Sequence, residues 1–371
     1  MRCAAALSTH PIPSHATGDV IADVLGLHES VPDLVLVVAT ASFGGAAEDI
    51  LSTVQTLLHP RQLLFTASSG ILAAGTEVSE GPALGVWVFW SEIDEDISVL
   101  DLENGIESLT YLEKRTLATA ESVIVLADPA LPNVTDTIEA VSTLRSTRAV
   151  TGGLLSGASG ATVLRDSSGR SRRCVAVTFP STSSHAKLVH GSVPLSRDLV
   201  ATSVVGNMVC ELDELPALEV VQQLLSTIEP EERSRTAKNL AIAFYAPETD
   251  DIVDVYKVLG ADREHGALAV AGALPSGAMV SVHYQGSDDS QLGLVDAFNG
   301  IRAAGALLFS CSPLEPDDNH EGLTDLGHLS EALGTTAFAG IHVSSVIGPG
   351  SRGSGLSGAP LSAAIFGRPH Y

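Results

Sequence analysis

The chain has 371 residues, 45% of them hydrophobic and 17% charged, which is ample apolar material for two or three domains and excludes whole-chain disorder. Its formal net charge of −24, with Lys and Arg totalling 20, repels phosphate backbones and anionic lipid surfaces, so neither nucleic acid nor a membrane is expected as a partner. Cys3, Cys174, Cys210 and Cys311 lie far apart with no Cys-x-x-Cys, which gives neither a zinc knuckle nor a redox pair. No apolar run reaches the roughly 20 residues a bilayer-spanning helix needs, and the opening run Met1–Ser8 is too short for a signal peptide. Cytoplasmic placement and no cofactor are the resulting expectations.

Taken in order, Arg2 to Leu7 reads as a strand. A helix follows with Ser14 as cap, Ala16, Val20, Ile21, Val24 and Leu25 on one face and Gly26 as stop. Asp33 to Val38 is a strand. The next helix is strongly periodic, with Ala47, Ile50, Leu51, Val54, Leu57 and Leu58 as its stripe. Gln62 to Thr66 is a strand that runs into Ser68-Ser69-Gly70, and Ala83 to Phe89 is another. Asn104-x-x-Glu107 predicts a capping box. Glu121 to Ala127 is a strand, and Asn133 precedes a helix with Val134, Ile138, Val141 and Leu144 inward. Ala149 to Leu155 carries Gly152-Gly153 into Ser156-Gly157. Gly160 to Leu164 and Arg172 to Phe179 flank a hairpin signal at Asp166-Ser167-Ser168-Gly169.

Val189 to Arg197, with Gly191 and Pro194, marks a boundary between halves. Beyond it, strands are predicted at Leu199–Val205, Met208–Leu212, Leu240–Tyr245, Ile252–Val258, Leu268–Val270 and Met279–Tyr284. Pro216 opens a helix bearing Leu218, Val221, Leu224, Leu225 and Ile228; Glu229 to Arg235 is charged and exposed. Ser287 caps a helix with Leu294, Val295, Phe298 and Ile301 buried. Gly305 to Cys311 is a strand, Leu323 to Leu333 a helix, and Ala337 to Ile341 a strand breaking at Ser344, Ser345, Gly348 and Pro349. Leu361 to Phe366 closes the chain.

One unit therefore occurs three times: strand, helix, strand ending in a Gly/Ser turn, outer strand. The fold class expected is α/β in the mixed α+β sense. It has mixed β-sheets with helices on their outer faces, in two related halves, 1–197 and 198–371, built from strand-helix-strand-strand repeats.

Gly348-x-Gly350-x-x-Gly353 matches a dinucleotide fingerprint in letters, but Ser354, Gly355 and Pro360 allow no helix after it, so a turn is the better reading. Leu155-Ser156-Gly157 lacks the strand-to-helix setting of a nucleophilic serine; it reads as a tight turn whose amides can bind ligand polar groups. Asp317-Asp318-Asn319-His320-Glu321 fits neither an EF-hand loop nor a zinc pair, and no metal is expected there. Cys311 and Ser312 end a strand, where binding groups collect, with His342 at the end of the next strand of the same repeat. Ser68, Ser69, Gly70, Gly152, Gly153, Ser156, Cys311, Ser312, Gly340, His342 and Ser345 are the candidate ligand-binding residues; none is expected to be catalytic.

Phe65-Thr66-Ala67-Ser68-Ser69-Gly70, Glu77-Val78-Ser79-Glu80-Gly81-Pro82-Ala83-Leu84 and Gly152-Gly153-Leu154-Leu155-Ser156-Gly157 resemble the amino-terminal FIST domain. Pro216-Ala217-Leu218-Glu219-Val220, Val258-Leu259-Gly260-Ala261-Asp262, Gly305 to Cys311 and Ile347-Gly348-Pro349 resemble its carboxy-terminal partner. The resemblance implies 1–197 as the first FIST domain and 198–371 as the second. It implies a sensor of small molecules, amino acids or related metabolites, acting in signal transduction with a signalling protein as partner. Departures stand at Gly191-Ser192-Val193-Pro194, where the family often has Gly-Cys-Arg-Pro, at Tyr256-Lys257, at Val346 and at Ser357-Gly358. Two readings follow from them: a less charged ligand, or a partly vestigial site on an interaction scaffold. A nucleophile at Cys311 or Ser156 is a third, enzymatic alternative.

Overall fold

The computed structural model describes residues 1–28, 30–92, 96–145, 150–156, 163–182, 184–245, 252–285, 298, 301–311, 326–350 and 354–369. Two compact units are present: Met1–Lys187 with Val295–Tyr371, and Leu188–Leu294. The third repeat, although it follows residue 198, thus folds with the first two.

The first unit opens with β1 (Arg2–Ser8), α1 (Pro13–Leu27), β2 (Leu34–Thr40), α2 (Ala47–Leu58) and β3 (Gln62–Ser68). A small hairpin, β4 (Ile71–Ala73) and β5 (Thr76–Val78), precedes β6 (Leu84–Trp90). Then come β7 (Ser98–Asp101), α3 (Tyr111–Thr119), β8 (Ser122–Ala127), α4 (Val134–Arg145), β9 (Val150–Leu155), β10 (Val163–Asp166), β11 (Cys174–Phe179) and β12 (Ser184–Val189). The second unit holds β13 (Val193–Pro194), β14 (Leu199–Ala201), β15 (Ser203–Val205), β16 (Met208–Leu212), β17 (Leu215–Pro216), α5 (Ala217–Thr227) and α6 (Pro230–Lys238). It ends with β18 (Leu240–Tyr245), β19 (Ile252–Asp262), β20 (Ala267–Val270) and β21 (Ala278–Tyr284). The chain re-enters the first unit through β22 (Ile301–Ser310), α7 (Leu326–Leu333), β23 (Phe338–Gly348), β24 (Gly355–Ser357) and β25 (Leu361–Pro369).

The three repeats share one topology. Their strand orders are β6-β2-β3, β11-β8-β9 and β25-β22-β23. In each, the first two strands are parallel and the outer strand is antiparallel to the first. A parallel pair needs a crossover, and α2, α4 and α7 lie in those connections. The first repeat forms the 5-stranded sheet β1-β6-β2-β3-β10, and the other two join through β23 and β9 in the 11-stranded sheet. Strands such as β2, a Leu/Val run buried at every position, are covered on both faces, as parallel strands between helices and a second layer must be. α2 buries Ala47, Ile50, Leu51, Val54 and Leu58 and places Glu48 and Asp49 at its positive amino end. Each large side chain so buried contributes about 1.5–3 kcal/mol.

The last phenylalanine of each outer strand meets the other two. Phe89, Phe179 and Phe366 occupy corresponding positions on β6, β11 and β25, are fully buried, and have ring centroids 5.4, 5.6 and 5.0 Å apart. Trp87 joins them, 5.3 Å from Phe366, and its indole N–H donates to the Ala337 carbonyl. Aromatics are only 4% of the chain, yet four of them sit here, so this cluster is the packed centre of the unit.

Several local expectations are corrected. Pro13, not Ser14, opens α1, its fixed φ suiting the first helical turn, and no side chain caps that helix. The capping box is Thr110 with Glu113; Ile106–Ser108 makes only a short 3₁₀ turn. The 166–169 turn exists, but β10 pairs with β3 while β11 pairs with β8 and β7, so the two strands enter different sheets. Glu229–Arg235, charged and mostly exposed as expected, belongs to a helix over Pro230–Lys238, with acidic residues in its first turn and basic ones in its last. Ile301 begins β22 and is not the end of a helix; the rest of the helix expected from Ser287, apart from Phe298, lies outside the described residues, as does Leu323. β23 continues through Ser344 and Ser345 as a bulged strand where a turn was expected.

In the second unit the order is β13-β21-β18-β19-β20-β16-β15, with β14 on β21 and β17 on β16. Ile242, Phe244, Val280 and Val282 share a core with Ala217 and Val221 of α5. On β21 the alternate residues Ser281 and His283 form a polar chain. Ser192 Oγ is 2.9 Å from His283 Nδ1, His283 Nε2 is 2.8 Å from Ser281 Oγ, and Tyr245 OH is 2.7 Å from Ser281 Oγ.

Candidate functional site

β23 changes partners at its middle. Phe338 to His342 pairs with β22 in parallel and Ala339 to Ile341 pairs with β4. From Val343 onward β9 takes over, and Val346 to Gly348 pairs with β24. His342 falls at the change-over, where neither β4 nor β9 offers its backbone a regular ladder partner. Loop groups supply the bonds instead. The His342 N–H donates to Gly70 O at 3.2 Å. Its carbonyl accepts from Ser68 Oγ at 2.8 Å and from Ser156 Oγ at 2.6 Å, which fills both lone pairs. Ser69 Oγ is 3.1 Å from Ser156 Oγ, and Ser69 N–H donates to Ser156 O. The ends of β3 and β9 are thereby tied to the middle of β23, one contribution from each repeat.

The imidazole is held as firmly as the backbone. His342 Nε2 lies 2.7 Å from Glu77 Oε1, with the two side chains 12% and 5% exposed. Glu77 is delivered by the β4–β5 hairpin, whose turn residues Ala74 and Gly75 both have positive φ, 50° and 77°. Against the other side of the ring lies Gly70; a Cβ there would stand 2.2 Å from His342 Nδ1. Ser69 is exposed, Ser156 and His342 partly so, and these three present the site to solvent.

The remaining candidates divide. Gly152 and Gly153 lie inside β9, not in a turn. Gly152 has φ 142° and a Cβ on it would lie 1.9 Å from Val125 O; one on Gly153 would lie 2.6 Å from Val343 Cγ1. Gly340 is packed against Leu72, 3.1 Å from where its Cβ would be. These glycines let strands approach closely. β9 ends at Leu155, and Ser156 is the last described residue before 157–162. Ser345 follows the bulge and makes a long 3.5 Å bond to Ser357 O, while Ser344 Oγ donates to Leu154 O. Cys311 is exposed one residue past Ser310, the register partner of His342, and its N–H donates to Pro360 O. Partial desolvation pushes its thiol pKa up, against the pull of the Val346 amide. Ser312 and Asp317–Glu321 lie outside the described residues, as do 351–353 of the glycine-rich stretch; β24, a strand, follows that stretch.

Glu77 was not singled out from the sequence. It lies 265 residues from His342, and no spacing rule joins residues so distant; its only signal was its place in the Glu77-Val78-Ser79-Glu80 motif. Among the described residues no group of three or more His, Cys, Asp or Glu is placed to hold a metal, and no helix is long and apolar enough to cross a membrane.

The chain is 25% identical over 350 residues to an uncharacterized protein of Mycobacterium bovis, covering 90% of each chain. It is 24% identical over 384 residues to an uncharacterized protein of Mycobacterium tuberculosis, covering 99% of this chain and 100% of the relative. The FIST N domain model matches residues 33–215 and the FIST C domain model matches 217–342. With well over half of its length so matched, this chain belongs to the FIST domain proteins, a family associated with signal transduction.

Proposed function

We propose that this protein is a non-catalytic sensor that binds a small polar metabolite, an amino acid or a close relative, at the rim formed by Ser69, Ser156 and His342. The observation that carries the reading is the meeting of all three repeats at His342. A ligand that bonded Ser69 or Ser156 would compete with or reinforce the ties between repeats. Its differential affinity for the tied and untied arrangements is the signal a sensor needs. A cytoplasmic signalling protein would read that change.

Two features support a binding role over a catalytic one. The Cys311 thiol is shifted up, away from the thiolate a nucleophile requires. Ser156 Oγ donates to a backbone carbonyl, a group that abstracts no proton.

One observation favours a second reading, an interaction scaffold with an occupied centre. The hydroxyls of Ser68 and Ser156 are already bonded within the protein. A thermal-shift screen with amino acids at millimolar concentration separates the two. A sensor gains several degrees with one ligand class, through preferential binding to the folded state, and loses that gain in Ser156→Ala. A scaffold shows no shift with any of them.

A further inference from the structure

A second hollow lies at the opposite end of the first repeat, at the start of β2 and β3 and the close of β6. Its volume is about 500 Å³, within the range of small-molecule sites, and it is lined by Arg2, His28, Asp33, Arg61, Trp90 and Glu92 among others. One wall is fixed in advance. His28 stacks on Trp90 with centroids 5.1 Å apart and planes at 19°. The loop locks both rings: Ser30 N–H donates to His28 Nδ1 at 3.2 Å, and Trp90 Nε1 donates to Ser30 O at 2.9 Å. Trp90 is buried, so a flat ligand packs mainly on the half-buried His28 ring, and rings held this way lose little freedom when it does.

The floor carries charge in a specific arrangement. Asp33 is buried, accepts the Ser91 N–H at 2.7 Å through Oδ2, and faces Arg61 at 3.4 Å through Oδ1. Its charge is met inside the protein, and it holds Arg61 at the hollow. Arg2 is exposed and has no carboxylate partner among the described residues. In a chain of net charge −24, an anion is repelled from most of the surface, so a site for one must supply its own guanidinium. Glu92 on the rim is paired with the Met1 ammonium at 2.7 Å, so its charge too is met by the protein.

We propose that this hollow binds a planar ring bearing one anionic group, an aromatic or heteroaromatic carboxylate. Its ring lies along the His28–Trp90 wall, and Arg2, aided by Arg61, takes the carboxylate as a fork takes two oxygens. The site is independent of the His342 rim and stands whether or not the sensor reading does.

The test uses the whole protein and benzoate as probe, followed by calorimetry and by the two indole N–H signals in ¹H–¹⁵N spectra. Saturable millimolar binding is expected, with the Trp90 indole signal moving and that of Trp87 still. Benzamide, the neutral isostere, binds about tenfold more weakly, and Arg2→Gln weakens benzoate by a similar factor, about 1.4 kcal/mol. Arg2 is exposed on an edge strand, so that variant keeps the fold. Absent saturation, equal affinity for benzamide, an unchanged Arg2→Gln variant, or movement of Trp87 in place of Trp90 each overturns the proposal.

Discussion

His342 and Glu77, separated by 265 residues, are joined by a 2.7 Å bond between Nε2 and Oε1 with both side chains nearly out of solvent. That bond closes the first repeat onto the third. Removing either partner leaves a buried polar atom unmet, so Glu77→Ala and His342→Ala are each expected to lower stability by about 1–3 kcal/mol. The double variant should lose less than the sum, with a coupling energy of about 0.5–3 kcal/mol in urea denaturation. Strict additivity would show that the pair does not act as one.

Glycine replacements should rank by what the new methyl meets. Gly152→Ala forces a Cβ to 1.9 Å from the Val125 carbonyl at a φ of 142°, and backbone does not yield. It should be the most damaging, beyond the 1–3 kcal/mol of ordinary overpacking, roughly. Gly70→Ala meets a ring, His342, which can swing away at the cost of Glu77. Its loss should fall within about 1–3 kcal/mol and shrink when Glu77 is already Ala. Thermal melts of the four variants give both comparisons.

Phe179 and Phe366 sit 5.0 Å apart at the centre where the outer strands meet. Truncating either to Ala is expected to cost about 3–5 kcal/mol by opening a cavity in a close-packed cluster. An exposed aromatic such as Tyr111, 79% accessible at the start of α3, should tolerate the same change within about 0.5 kcal/mol. Equal losses at the two kinds of position would contradict the assignment of the centre.

How much of this was readable beforehand depended on range. The three strand-helix-strand-strand units were legible because Leu34–Thr40, Ser122–Ala127 and Gly305–Ser310 are continuous apolar runs joined by short-range patterns. The candidate serines at 68, 69 and 156 were legible as the ends of strands; His342, read as a strand end, lies in the middle of β23, which runs on to Gly348. Their mutual bonds were not, since pairing β23 with β4 and β9 is a tertiary event with no local signature. That Gly152 and Gly153 serve close strand contacts inside β9 was not legible, because glycine marks both turns and such contacts, and sequence alone gives the two one appearance. The hollow at Arg2 draws residues from four separate stretches of the chain, and nothing local links them.

Acid should weaken the second unit first. Burial, and for His283 also the neighbouring His190, depresses both histidines to about 4, with Asp198 opposing at His283. Above pH ~6.5 both are neutral folded or unfolded, and they contribute no pH dependence. Below it the unfolded chain takes up protons that the folded one refuses, so stability falls from pH ~6.5 to about 4, by up to roughly 1.4 kcal/mol per unit for each histidine. Replacing His283 by Gln should flatten the stability profile between pH 6.5 and 5, where most carboxylates remain ionised, in roughly that proportion. An unchanged slope would show that these rings protonate freely in the folded state.

The sensing account is tested most directly at the His342 ring itself. Histidine-selective ¹⁵N labelling follows its Nε2 and Nδ1 signals while amino acids and related metabolites are titrated in. The account predicts a saturable movement of both signals with a ligand that also raises the melting temperature, and loss of both effects in Ser156→Ala. A ligand that stabilises the protein while the His342 signals stay still would contradict it.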